Sequence, residues 1–230
     1  MGFLEPSRFK RQATGLAMVI APLVIVIAEL LHAKFETDAA KQIEAVADNP
    51  GRWYAAHVLV LLAVAGAVPA FLGLAHILRR ARPGLAHLSL VLFVPGAVAL
   101  AAVAGMEIVL WQMAQPEASR AEMVALAERL DESAGVAGLF AVVLLFPLAW
   151  LLAGIGLYVS RLVPVWAAVA IAVAQPVGFA GELAGGPKAL AVAAQVAFAI
   201  GLVPVGIAVL KQSDQAWDEP AAPGVTPATA

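Results

Sequence analysis

The sequence predicts an all-α polytopic membrane protein. It has six transmembrane helices in three hairpin repeats, with two amphipathic helices on one surface. Three observations carry this. Hydrophobic residues make up 62% of the chain and charged residues only 13%, where a soluble domain is nearer half apolar and a quarter charged. The charges are segregated, leaving apolar runs of membrane-spanning length. The two longest polar segments keep apolar residues at helical spacing, as surface-lying helices do.

Composition excludes several function classes. A net charge of -2 without a basic face leaves no nucleic-acid reader. There is no cysteine, so disulfides, thiolate nucleophiles and thiolate metal sites are ruled out. Any metal must be held by His, Asp and Glu. Small residues dominate the apolar runs, which lets helices pack closely in lipid.

In chain order, residues 1–12 form a short basic N-terminus and 13–210 the membrane domain. The first span is predicted over 13–31. It exceeds a signal-peptide core and no A-x-A pattern follows, so it reads as a retained helix. His32–Arg52 is polar, with Phe35, Ala39, Ile43, Val46 and Ala47 on one helical face. Asn49-Pro50-Gly51 ends that helix. The second span covers 53–78, with Trp53 and Tyr54 suited to the interfacial belt. Arg79, Arg80, Arg82 and Pro83-Gly84 turn the chain. The third span is 85–113, long enough to tilt or to project. Pro116–Ala134 is a second amphipathic segment, with Met123, Leu126 and Leu130 on its apolar face. Spans 135–159, 162–183 and 189–210 follow. Residues 211–230 are polar, then Ala/Pro/Thr-rich, and predict a disordered cytoplasmic tail.

Six spans place both termini on one side, and the positive-inside rule names the side. Arg8, Lys10, Arg11, Arg79, Arg80, Arg82, Arg161 and Lys211 share the side of the termini. Lys34, Lys41, Arg52, Arg120, Arg129 and Lys188 lie opposite, most of them diluted among acids. Both termini are therefore expected in the cytoplasm, and the amphipathic helices in the periplasm.

Each hairpin has an acid near the outer end of its first helix (Glu29, Glu107, Glu182) and a basic residue closing its second (Arg79, Arg161, Lys211). Every span contains a proline: Pro22, Pro69, Pro95, Pro147, Pro176 and Pro204. Repeats of like orientation are related by an axis along the membrane normal.

Depth selects the candidate site. At 1.5 Å per residue Glu29 lies about 24 Å from the inner side, and Glu107 and Glu182 roughly 30 Å. His57 sits just inside the outer end of its span, and His32 is one turn above Glu29. Ionisable groups in a span are costly, face the bundle interior and pair. Glu29, His32, His57, Glu107 and Glu182 are thus expected to converge on one outward-facing pocket, with Gln112, Gln175 and Gln195 as further polar lining. The leading reading is a proton- or cation-linked pocket for a small ligand, of binding or transport type, and not an enzyme. Glu29-x-x-His32 is also the ligand pair of carboxylate-bridged metal bundles. The alternative is therefore a metal-dependent membrane enzyme. Glu29, His32 and His57 would bind Zn or Fe, with Glu107 or Glu182 as general base on a metal-bound water. A third reading is a structural or accessory subunit, in which these acids cap helix ends and reach water. Beyond the bilayer, a second copy or another membrane protein is a candidate partner.

Other motifs are absent or misplaced. Gly154-Ile155-Gly156 lies inside a span, so it is no dinucleotide loop, and there is no P-loop, G-x-S-x-G or H-E-x-x-H. His57 and His76 are too far apart on one helix, about 28 Å, to serve paired haems. They read as interfacial histidines, as does His87.

The pattern Glu29…Asn49-Pro50-Gly51-Arg52-Trp53…His57, then Gly73-Leu74-Ala75…Arg79-Arg80, then Gly105-Met106-Glu107, resembles an uncharacterised family of six-span integral membrane proteins of GC-rich bacteria. The likeness runs over most of residues 13–210 and is as much compositional as motif-based. It implies a bacterial inner-membrane location and no particular activity. The three-hairpin plan is also similar to that of mitochondrial carriers. Their P-x-[DE]-x-x-[KR] motif does not follow Pro22, Pro95 or Pro176, and that family is set aside.

Overall fold

The computed structural model describes residues 5–34, 36 and 38–219. Phe35 and the end of the tail, residues 220–230, lie outside the described residues. The described chain is helical throughout: α1 (Pro6–Leu31), α2 (Ala39–Asp48), α3 (Pro50–Leu78), α4 (Pro83–Met113), α5 (Arg120–Asp131), α6 (Ala134–Val143), α7 (Leu145–Ser160), α8 (Val165–Leu183), α9 (Lys188–Lys211) and α10 (Asp214–Asp218). Six stretches are long and apolar enough to cross a membrane: α1, α3, α4, α6 with α7, α8 and α9. The chain thus has the build of a multi-pass membrane protein. Leu72, Val91, Val98 and Ile200 are among the large apolar side chains left on its outside, as lipid-facing positions require.

Helix ends follow local chemistry. Asn49 closes α2 and opens α3, its side chain accepting from Arg52 N at 3.3 Å, with Pro50 in the first turn. Asp38 caps α2 and Ser133 caps α6 in the same way. Arg52 caps the other end of α1 by donating to the carbonyls of Leu31 (2.5 Å) and Leu30 (3.1 Å). The fourth span, expected as one helix, runs over Ala134–Ser160 with an interruption at Leu144, which keeps helical backbone angles. Pro147 has no N–H for the carbonyl of Val143 and its ring crowds that group. Pro22, Pro69, Pro95, Pro176 and Pro204 all sit within continuous helices. At the break, Gly96 of α4 packs onto the Leu145–Phe146 backbone so closely that a Cβ would collide with it.

The spanning helices form a closed ring in chain order. α1 packs on α3, α3 on α4, α4 on α7, α7 on α8, α8 on α9, and α9 returns to α1. Small residues set the close approaches. A Cβ on Gly154 would lie 2.5 Å from the Cα of Ala172, and one on Gly206 would lie 2.8 Å from the carbonyl oxygen of Gly15. An aromatic cluster fills the middle. Phe71 and Phe93 stack at 4.1 Å, and Trp150 meets Phe71 at 4.9 Å and Phe198 at 4.7 Å edge-on.

The two amphipathic helices pack at the end of the ring that carries the candidate site. Ile43 and Val46 of α2 and Ala127 of α5 form one cluster with Trp53, Met113 and Ala114. At the opposite end the polar tail, expected to lack packed structure, carries α10. Asp214 pairs with Arg11 (2.9 Å) and Arg8 (3.4 Å), and buried Trp217 stacks on His76 at 4.2 Å. His76 Nε2 donates to the Trp217 carbonyl at 2.8 Å. A single tryptophan gives this tail the apolar anchor that its composition otherwise lacks.

Candidate functional site

All five candidate ionisable residues line one cavity of about 480 Å³ inside the ring. Glu29 and His32 come from α1 and its end, His57 from α3, Glu107 from α4 and Glu182 from α8. The walls are apolar, with Val60, Val64, Leu100 and Phe179 among them, and Phe146, Trp150 and Phe198 bring the aromatic cluster to its lining. Gln175 and Gln195 also line it, Gln175 Nε2 donating to Gln195 Oε1 at 3.0 Å. Gln112 does not. It is exposed on α4, because its position turns its side chain away from the bundle.

The histidines form a pair. Their Nε2 atoms are 3.2 Å apart. His32 Nδ1 donates to the Ala33 carbonyl at 2.6 Å, and His57 Nδ1 to the Trp53 carbonyl at 2.9 Å. A carbonyl only accepts, so both Nδ1 atoms carry protons and both Nε2 atoms are the free ends. Trp53 covers the pair, 5.0 Å from the His32 ring and 4.5 Å from the His57 ring, and its indole N–H donates to the Glu107 carbonyl at 2.8 Å. Trp53, which the sequence suits to the interfacial belt, is buried and ties α3 to α4.

The three carboxylates differ. Glu29 is largely buried and is hydrogen-bonded by Lys188 Nζ across the α1–α9 contact. Glu107 has its Oε2 buried without a hydrogen-bond partner among the described residues. Glu182 stands exposed at the cavity edge. On α5, burial pushes the Asp131 carboxyl above its ordinary range. Glu29 is thus directed to Lys188, not to the histidines, and no three His, Asp or Glu residues among the described ones lie close enough together to hold a metal. Lys188 went unassigned in the sequence because it reads as a turn residue. Its signal was its isolation at the start of α9, as the sole basic residue between Arg161 and Lys211.

Trp150 is a second residue not anticipated. It lines the cavity, and its indole N–H is buried without a partner among the described residues. Buried polar atoms are normally satisfied, so Glu107 Oε2 and Trp150 Nε1 are local costs in the packing behind the cavity wall. No protein-family model, curated protein or solved structure matches the chain. The class that can be stated is a helical, multi-pass membrane protein with a mixed-polarity cavity inside its bundle.

Proposed function

We propose that this chain is a multi-pass protein of a bacterial inner membrane that binds or transports a small ligand, linked to a proton or a cation, in an outward-facing pocket. Its termini are cytoplasmic, α2 and α5 are periplasmic, and the three hairpins are repeats about an axis normal to the membrane. The closed ring in chain order agrees with such an axis, and the resemblance to six-span proteins of GC-rich bacteria agrees with the location. One observation carries the functional reading. Five ionisable residues from four helices, three of them carboxylates, line one apolar-walled cavity. Intramembrane ionisable groups arranged in this way mark ligand or ion pathways.

The test is tryptophan fluorescence of purified protein titrated with tetraphenylphosphonium, and with tetraphenylborate as an anion of matched size. Saturable quenching by the cation alone, weakened at least tenfold by Glu107→Gln and by Glu182→Gln, is expected. Equal binding of the anion, or indifference to both substitutions, overturns the reading.

The histidine geometry favours a second reading, a metal site. Two nitrogens 3.2 Å apart span the gap that tetrahedral Zn–N bonds of about 2.0–2.1 Å leave between ligands. His32 and His57 would be the ligands here, with solvent completing the shell. Glu29 would join only by leaving Lys188. Near-stoichiometric metal in native protein purified without chelator, lost in His57→Ala, would establish this reading. Metal absent from both would end it.

A further inference from the structure

We propose that the cavity opens sideways to the bilayer between α6 and α8, and that its ligand is a membrane-partitioned amphipathic amine that enters there. This rests on the pocket reading above and names its ligand class. The ring wall is not uniform along its height. Below the break at Leu144, α7 and α8 touch backbone to backbone at Gly154 and Ala172. Above it, α6 packs on α4 and has no comparable packing with α8 among the described residues. The cavity reaches into this gap. Phe140 and Ala141 line it from α6, Leu144 from the break, and Phe179, Glu182 and Leu183 from α8. The rims are open, with Leu144 at 42% and Leu183 at 63% exposure. The end of the ring beside the histidines is covered instead. His57 lies buried against Trp53, and Ile43 and Val46 of α2 close over Trp53.

The rims also describe the guest. One is apolar, and the other adds a carboxylate, Glu182. Inside, Glu107 Oε2 is buried without a partner, and the Lys188 ammonium is already bonded to Glu29. A basic nitrogen supplies both a charge opposite to these acids and hydrogen-bond donors to them. The apolar walls take a hydrocarbon body. An anionic head would meet like charge, and a neutral chain would leave Glu107 and Glu182 without a counter-charge.

The probe is radiolabelled dodecylamine, with the full chain in phosphatidylcholine nanodiscs and empty nanodiscs as background. Saturable binding of one amine per chain is expected, undisplaced by tenfold dodecanol or dodecyl sulfate. Ala141→Trp and Leu183→Trp narrow the gap from opposite rims at exposed positions, so either can serve if the other fails to fold. Each is expected to slow association at least tenfold, while Leu148→Trp on α7 leaves it unchanged. Unchanged association in the rim variants, or equal displacement by dodecanol, overturns the proposal. So does absent dodecylamine binding. If tetraphenylphosphonium still binds in its Glu107-dependent way, the pocket reading stands without the portal, and if neither probe binds, both fall.

Discussion

His32 and His57 approach through their Nε2 atoms at 3.2 Å, each ring held from behind by a backbone carbonyl. Two bare nitrogens at that distance repel unless a proton or a metal lies between them. The pair is therefore a coupled unit bridging α1 and α3.

That coupling is measurable. His57→Leu removes one nitrogen and leaves the other ring without its partner. With a proton held between the nitrogens, a loss of about 1–3 kcal/mol is expected, whereas a stabilising substitution would show that both are bare. His32→Leu should lose a similar amount, and the double variant less than the sum. Denaturant unfolding of the four proteins in detergent checks this, and strict additivity would show that the rings do not interact.

Glu29 and Lys188 form the tie between α1 and α9. Lys188→Met leaves the Glu29 carboxylate buried without a partner, for which about 3–5 kcal/mol is expected. Adding Glu29→Leu should recover most of that loss, because it removes the stranded charge. A double variant no more stable than Lys188→Met would mean the ion pair is not the tie.

Glycine positions separate packing from backbone effects. Gly154→Ala places a Cβ 2.5 Å from Ala172 Cα, and overpacking of this kind costs about 1–3 kcal/mol. Gly105→Ala meets nothing within 4 Å and should be neutral or stabilising by up to about 1 kcal/mol. Thermal unfolding in one detergent compares them, and equal midpoints would contradict the close α7–α8 approach.

The tail latch should release in acid. The hydrogen bond from Arg11, then its charge and that of Arg8, hold the Asp214 carboxyl below its ordinary range. Its folded pKa is thus below its unfolded value of about 3.9. The contribution is full above that value and is lost as pH falls through the folded one. The 19F resonance of fluorotryptophan at Trp217 should shift from docked to free across that interval. Asp214→Asn should show the free position already at neutral pH. A docked signal in that variant would show that the stack on His76 holds α10 alone.

The six stretches of membrane-spanning length, the two amphipathic helices and the common level of Glu29, Glu107 and Glu182 were legible in the sequence. Hydropathy, helical spacing and rise per residue are properties of one segment at a time. The depth rule also picked out five ionisable residues that line one cavity, because ionisable groups at one level of a bundle have few places to go. It over-reached at Gln112, since depth does not say which way a side chain turns.

The sequence by itself determined the class of protein, the number of spans and the level at which its charges lie. Only the tertiary structure decided the partners. Lys188 meets Glu29 across 159 positions, His32 meets His57, and Trp217 docks on His76. It also decided that the fourth span breaks at Leu144 and leaves a gap beside α8. The physical reason is that burial and periodicity are encoded locally. Which helix stands beside which, and at what distance, is fixed by the closing of the whole ring.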